Sequence, residues 1–216
     1  MHKKAFIISF EGIEGSGKST LASQLYSFLK KNINSLDIPY KNVFIFREPG
    51  SSPLGEVLRE IILYKLDPKK NTKTLSLLFE ASRSYLFEEY KDIFLEKNII
   101  IFDRFIDSTI AYQGYGMGLD INFLESLNLF VTENIKPDLT FLLDVDVNIA
   151  FQRIQKKKKD NIEKLSKKFF EKVRQGFLEI SQRDKNRFVV LNSSKNNLKD
   201  LFEKIKSITL ERLKNF

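Results

Sequence analysis

The sequence has no cysteine, so disulfides, thiolate metal sites and cysteine nucleophiles are excluded. Its single histidine, His2, stands beside the N-terminus. Histidine general bases and histidine-rich metal sites are thereby excluded as well. Any chemistry must come from carboxylates, hydroxyls, lysines and arginines. No apolar run approaches the length of a membrane span. The stretch before Glu11 is too short for the apolar segment of a secretory signal. The expectation is a soluble, cytoplasmic protein with no membrane partner.

What is present fits a single globular domain over residues 1–216. The chain has 216 residues, of which 42% are hydrophobic and 30% charged, which sets it apart from disordered sequences. Lysine and arginine number 36 against 28 aspartates and glutamates, a net charge of +8. That balance suits a polyanionic ligand, and charge alone does not choose between nucleic acid and nucleotide.

Five short apolar runs read as strands: Ala5 to Phe10, Val43 to Phe46, Ile99 to Phe102, Leu139 to Asp144 and Phe188 to Leu191. Helical stripes separate them. One carries Leu21, Leu25, Phe28 and Leu29; the next carries Leu54, Val57, Leu58, Ile61 and Ile62. A long helix is predicted from Thr74 to Glu96, a further helical region up to Pro137, and a last helix through Leu198, Leu201, Phe202, Ile205 and Ile208. The strands are apolar throughout instead of alternating. The pattern predicts an α/β fold of three layers: a five-stranded parallel sheet with helices on both faces and ligands at the carboxyl ends of the strands.

Gly12-Ile13-Glu14-Gly15-Ser16-Gly17-Lys18-Ser19 matches G-x-x-x-x-G-K-[ST], between a strand and a helix as that motif requires. Glycines let backbone N–H groups turn inward around phosphate oxygens, and the helix N-terminus adds its positive dipole end. Lys18 should reach the β- and γ-phosphates, and Ser19 should hold Mg²⁺ through its hydroxyl. The motif indicates a nucleoside triphosphate and leaves the acceptor open.

Three further segments bear on the acceptor. Phe79 and Arg83 are four apart and share one helix face, where a ring can stack on a base and a guanidinium can donate to a carbonyl. Arg47 and Arg104 end strands, where a phosphate monoester would sit, and a guanidinium fork suits two of its oxygens. Blander readings stand beside these. Phe79 could be core, Arg83 a solvated helix residue, and Asp103-Arg104 a local ion pair.

Glu11 through Thr20, Arg47-Glu48-Pro49-Gly50, Leu78-Phe79 through Arg83, Asp103-Arg104-Phe105, Ala111-Tyr112-Gln113-Gly114 and Lys136 through Thr140 occur together, in order. In this the sequence resembles the thymidylate kinases, the P-loop kinases that transfer the γ-phosphoryl of ATP to dTMP. The resemblance covers nearly the whole chain. It implies that Glu14 faces the sugar 3′-hydroxyl, Phe79 stacks on thymine and Arg83 bonds a base carbonyl. Ser108, Thr109 and Gln113 then lie beside the acceptor nucleotide, and Tyr112 packs against the sugar 2′ position. Arg104 binds the acceptor phosphate, with Arg47 and Pro49 in the same wall. Asp103 lies by the magnesium, and Ser194-Lys195 forms the adenine-side loop. The family further implies a homodimer and a requirement for Mg²⁺, and the absence of a recognition-helix or aromatic RNP pattern argues against a nucleic-acid partner.

The sequence departs from the family in its arginines. The variable P-loop positions, Ile13, Glu14, Gly15 and Ser16, include no arginine. In the lid expected at about 153–163, Asn161 stands where Asp160-Asn161-Ile162-Glu163 would carry one. Arg153, or a lysine among Lys156 to Lys159, is the candidate replacement charge, and a solvated lysine run is the alternative. Ser51 also replaces a glycine after Gly50. Two other functions compete: a kinase for a different monophosphate or a deoxynucleoside, and a P-loop switch or nucleic-acid ATPase.

Overall fold

The computed structural model describes residues 4–155 and 159–215, so His2 and Lys156 to Lys158 lie outside the described residues. Five parallel strands form one sheet in the order β2-β3-β1-β4-β5. They are β1 (Phe6–Glu11), β2 (Asn42–Arg47), β3 (Asn98–Asp103), β4 (Leu139–Asp144) and β5 (Phe188–Asn192). β1 and β3 are buried along their whole length, which is why their sequences show no polar alternation.

Successive strand residues serve opposite layers. Phe6, Ile8 and Phe10 of β1 pack with Leu21, Leu25 and Leu29 of α1 (Lys18–Asn32) and Leu201 and Ile205 of α9 (Leu198–Lys214). Ile7 points the other way, into a cluster with Leu86, Phe87, Phe94 and Phe102. The rings of Phe87, Phe94, Phe102 and Phe105 stack there, with Phe102 and Phe105 centroids 4.3 Å apart. That stack fixes the end of β3 from below.

The parallel α/β sheet expected from the sequence is therefore present, with corrections among the helices. The predicted long helix is two: α3 (Thr72–Glu89) ends at Tyr90, and a short α4 (Lys91–Leu95) follows. α2 (Pro53–Glu60) passes into a π-helical turn over Ile61–Lys65. The region before Pro137 divides into α5 (Ile106–Thr109), a π-helical stretch (Ile110–Gly116) and α6 (Ile121–Val131). Apolar periodicity registers burial, which continues across Tyr90 and across the wider π turns, so it does not mark these changes. α7 (Val147–Ile154) and α8 (Lys167–Arg183) complete the chain's order, and α8 packs on the π-helical stretch.

Candidate active site

The first functional side chains come from the turn after β1. Gly12 has φ 138°, and a Cβ there would lie 2.6 Å from the Leu143 carbonyl oxygen of β4. Gly15 has φ 74°, and a Cβ would lie 2.7 Å from the Ala150 carbonyl oxygen of α7. Only glycine fits both the conformation and the space. The turn delivers Lys18 and Ser19 to the first turn of α1. Lys18 is buried, with Nζ 3.4 Å from the Ile13 carbonyl oxygen. Burial, and then the charge of Arg104, bring its pKa down to about 8. A phosphate beside it would reverse that shift.

The residues expected on the acceptor side gather because β3 lies beside β1. Arg104, directly after β3, has a left-handed backbone with φ 69°. Its Nη1 donates to the Gly12 carbonyl (3.0 Å) and its Nη2 to Glu14 Oε1 (2.7 Å). The Tyr112 hydroxyl donates to Glu14 Oε2 at 2.6 Å, and the Arg104 guanidinium lies over the Tyr112 ring. Burial opposes ionisation of Glu14. Arg104, Lys18 and the Tyr112 hydroxyl outweigh it and hold the carboxyl below its usual range. Glu14, Arg104 and Tyr112 thus form one charged triangle on the rim of the phosphate loop.

A second buried charge group lies deeper. Arg83 is 2% exposed. Its Nε donates to Glu48 Oε2, and its Nη1 to Glu80 Oε1, Thr109 Oγ1 and Asn128 Oδ1. Nη2 also contacts Glu48 Oε2, at 2.6 Å. Burial pushes the Glu48 carboxyl up to about 7; Arg83 pulls against that and Glu80 adds to it. The network accounts for a buried arginine, since each carboxylate offsets part of its desolvation. Thr109 serves this network as well as facing the cleft.

These groups line a single cleft of about 290 Å³. It brings together Glu14, Lys18, Ser19, Arg47, Pro49, Phe79, Arg83, Asp103, Arg104, Ser108, Thr109, Tyr112 and Gln113, all expected from the sequence. Phe79 is only partly buried, with its ring at the wall. Arg47, at the cleft, is half exposed and donates to both oxygens of Glu56. The remaining expected residues lie elsewhere. Arg153 is not a lining residue. Its guanidinium bridges the Gly15 carbonyl (3.0 Å) and Ser193 on the far side of the phosphate loop. Ser193 in turn donates to the Ser16 carbonyl at 2.6 Å. Ser194 Oγ accepts from the Asp146 N–H, and Asn192 Oδ1 accepts from the N–H groups of Ser194 and Lys195. This loop after β5 therefore sits against the glycine turn. Thr20 is exposed on α1.

The cleft also includes Arg59 and Leu63, which the sequence did not single out, together with Glu48 and Phe105, quoted only within motifs, and Asp160, Ile162 and Glu163. Arg59 donates to the Pro49 carbonyl at 2.8 Å, and burial and then the neighbouring charge of Arg47 lower its pKa. It lies in the last turn of α2, with no motif around it, so only the contact with Pro49 reveals it. Asp160 to Glu163 belong to the expected lid. Asn161 docks that segment: its N–H donates to the Leu63 carbonyl (2.9 Å) and its Nδ2 to the Leu66 carbonyl (3.0 Å). The position where an arginine was missed is thus a clamp onto the turn after α2. Lys159 lies over the Phe151 ring, with Nζ 5.3 Å from its centroid.

Ser51, with φ 63°, takes the left-handed conformation that glycine favours. Its Oγ accepts from the Arg47 N–H at 2.7 Å, so the side chain compensates with a bond glycine lacks.

A glycine cradle on a parallel sheet, opening into the same cleft as guanidiniums and an aromatic ring, defines a P-loop phosphotransferase acting on nucleotides. A family model described as "Thymidylate kinase" matches residues 10–205. The thymidylate kinase of Kosmotoga olearia is 44% identical over 192 residues, 87% of each chain. That of Thermosipho africanus is 39% identical over 96% of this chain and 99% of its own. The crystal structure of thymidylate kinase from Ehrlichia chaffeensis superposes with a TM-score of 0.71 at 31% identity, covering 95% of this chain and 98% of that one. The chain belongs to the thymidylate kinase family.

Proposed function

We propose that this enzyme transfers the γ-phosphoryl of ATP to dTMP, giving dTDP and ADP. The observation that carries this reading is the continuity of one cleft from Lys18 and Ser19 to Arg104, and on to Phe79 and Arg83. Donor and acceptor sites separated by a wall could not transfer a phosphoryl group directly.

In this reading an oxygen of the acceptor phosphate attacks the γ-phosphorus, and the bond to the β–γ bridging oxygen breaks. The protein aligns the three atoms and neutralises charge. Lys18 and the inward N–H groups of the glycine turn hold the donor phosphates. Arg104 binds the acceptor phosphate, exchanging its bond to Glu14 for the stronger anion, with Arg47 and Arg59 adding positive potential. Glu14, released, faces the sugar 3′-hydroxyl. The Tyr112 ring, fixed by Glu14 and Arg104, crowds the sugar 2′ position. Phe79 stacks on the base, and the Nη2 edge of Arg83 donates to a base carbonyl. Ser108, Thr109 and Gln113 complete that wall.

Mg²⁺ fits Ser19 and Asp103. Asp103 Oδ1 is buried with no hydrogen-bond partner among the described residues, and the Ser19 hydroxyl is exposed at the same cleft. One carboxylate and one hydroxyl suit an ion that completes its shell with phosphates and water, where it neutralises charge on the transferred group. Arg153 and the Ser193–Lys195 loop form the adenine side, because they hold the outer face of the glycine turn. Lys159, and Lys156 to Lys158 outside the described residues, are the further candidates for the charge that the missing arginines would have supplied.

A homodimer accompanies this reading. α3 packs between α2 and α6, and these neighbours expose Leu54 and Val57, Leu77, and Phe123 and Phe130. Exposed aromatic and aliphatic groups on three adjacent helices are costly in a monomer. No helix among the described residues is long and apolar enough to cross a membrane. We place the reaction in the cytoplasm, where its donor ATP is found.

The test is release of ADP with Mg-ATP against dTMP, dUMP, dCMP, AMP, GMP and thymidine. Turnover strongest with dTMP and lost in Lys18→Ala and Arg104→Ala supports the reading. Turnover with another acceptor and not with dTMP overturns it.

A further inference from the structure

Glu11 is the last residue of β1, fully buried, and unused by the transfer chemistry above. Its carboxylate accepts two hydrogen bonds from the segment after β3. The Phe105 N–H donates to Oε1 at 2.8 Å, and the Ser108 hydroxyl donates to Oε2 at 2.6 Å. Between β3 and those bonds lies Arg104, whose φ of 69° is strained for a residue with a side chain. Such a conformation persists only where its surroundings over-determine it.

Those surroundings come mainly from β1 and the turn it feeds, with Ser108 and Tyr112 adding contacts. The Arg104 N–H donates to the Phe10 carbonyl at 3.0 Å, Nη1 donates to the Gly12 carbonyl, and Nη1 also reaches Ser108 Oγ at 3.3 Å. Phe10, Glu11 and Gly12 therefore grip consecutive parts of one turn: the N–H before it, the N–H after it and the guanidinium. Of the three, only Glu11 does so with a side chain, so only its grip can be altered by substitution.

We infer that Glu11 is a positioning residue that holds the Arg104 turn in register with the glycine cradle, so that donor and acceptor phosphates meet in line. The inference rests on the reading of Arg104 as the acceptor-phosphate ligand. It differs from that reading in assigning a role to a residue that touches neither nucleotide.

The clamp depends on hydrogen bonds and not on charge. A glutamine amide keeps both: its carbonyl accepts from Phe105, and its NH₂ donates to the Ser108 oxygen. Leucine of similar size keeps neither and leaves the Phe105 N–H buried without a partner. Misplacing Arg104 by about 1 Å is enough to lower transfer roughly 10²-fold.

The experiment compares wild type, Glu11→Gln, Glu11→Leu, Glu11→Asp and Arg104→Ala in steady-state kinetics with ATP and dTMP varied separately. Glu11→Leu is expected to lower kcat/KM for dTMP about 10²-fold while the KM for ATP stays within about twofold. Glu11→Gln is expected within about threefold of wild type in both. Should Glu11→Leu fail to fold, Glu11→Asp carries the test: one methylene shorter, it cannot span both donors and is expected to show the same selective loss. Wild-type kinetics in Glu11→Leu or Glu11→Asp overturn the inference, as does Glu11→Gln failing as badly as the folded variants. An equal loss of ATP affinity also overturns it, because the damage then lies in the cradle. If Arg104→Ala leaves dTMP saturation unchanged, the reading of Arg104 falls. If Arg104→Ala loses it and the Glu11 variants do not, only the role of Glu11 falls.

Discussion

Arg104 and Arg83 share the cleft but hold their charges differently. Arg104 has one carboxylate partner, Glu14, and a partly open edge, so an incoming phosphate can displace that partner. Arg83 has two carboxylates within a buried network and is bound on most of its donors. Arg104→Ala should therefore lower kcat/KM for dTMP by about 10³-fold with little change in melting temperature, since a partly exposed pair contributes little to stability. Arg83→Ala should destabilise the fold itself by about 3 kcal/mol, because Glu48 and Glu80 would remain buried without their cation; chemical denaturation measures this. Glu48 also makes stability depend on pH. Its folded pKa, about 7, lies above its ordinary 4.5, so the folded state keeps a proton that the unfolded chain has lost. Its contribution is full below about pH 4.5 and disappears as pH rises to about 7. Unfolding free energy measured across that window should fall less steeply in Glu48→Gln than in wild type. An equal slope in both would place the proton elsewhere.

At the scale of elements, the lid and the turn after α2 act as a pair. Asn161 bonds two carbonyls, Leu63 within the π-helical turn and Leu66 just after it, and Asp160 accepts from the N–H groups of Ile162 and Glu163 to hold the segment's shape. Asn161→Ala should loosen this contact, raise the KM for dTMP several-fold and increase ADP release in the absence of acceptor, as water reaches the donor phosphate. Replacing Lys156 to Lys159 together with alanine tests the other role of the lid. If these lysines supply charge to the transferred group, kcat falls well below wild type while dTMP binding holds; an unchanged kcat removes them from the chemistry. The glycine turn is the rigid counterpart. Gly12→Ala drives a Cβ against the Leu143 carbonyl at a backbone angle alanine avoids, and about 3 kcal/mol of stability should be lost, measurable by urea unfolding. Legibility in the sequence followed the same divide. The glycine turn was readable because its chemistry is local and its spacing fixed. The lid was readable as a location only, since its contacts are to residues about a hundred positions earlier.

For the whole molecule, the proposed dimer is tested at the exposed apolar side chains of α2, α3 and α6. Phe130 is 78% exposed, the most open of the large apolar side chains there. Phe130→Asp should shift a dimer towards monomer in sedimentation or light scattering while leaving the monomer's melting largely intact. A wild-type chain that sediments as a monomer at micromolar concentration would remove the dimer. The same helices carry Arg83 and Asn128 on their inner faces, so the face that would be covered and the base pocket are two sides of one layer.

The sequence alone determined the sheet and the glycine cradle, and the proposed acceptor wall was read from the resemblance to the thymidylate kinases. Apolar runs specify buried parallel strands, and glycine spacing specifies a backbone shape, without reference to distant residues. Phe79, Arg83, Arg104 and Tyr112 were given their places by motifs that resemble that family's, and they line one cleft. Only the tertiary structure decided which charge faces which. Glu48 meets Arg83 in a buried pair, while Glu14 meets Arg104 and Glu11 meets Phe105 because the strand order β2-β3-β1 sets β3 between the other two. It also turned Arg153 to the outer side of the cradle, brought Arg59 to the cleft and divided the helices at Tyr90 and at the π turns. Each of these depends on partners far apart in the chain. Local patterning carries burial and backbone shape, but the pairing of distant polar groups exists only once the strands have been placed side by side.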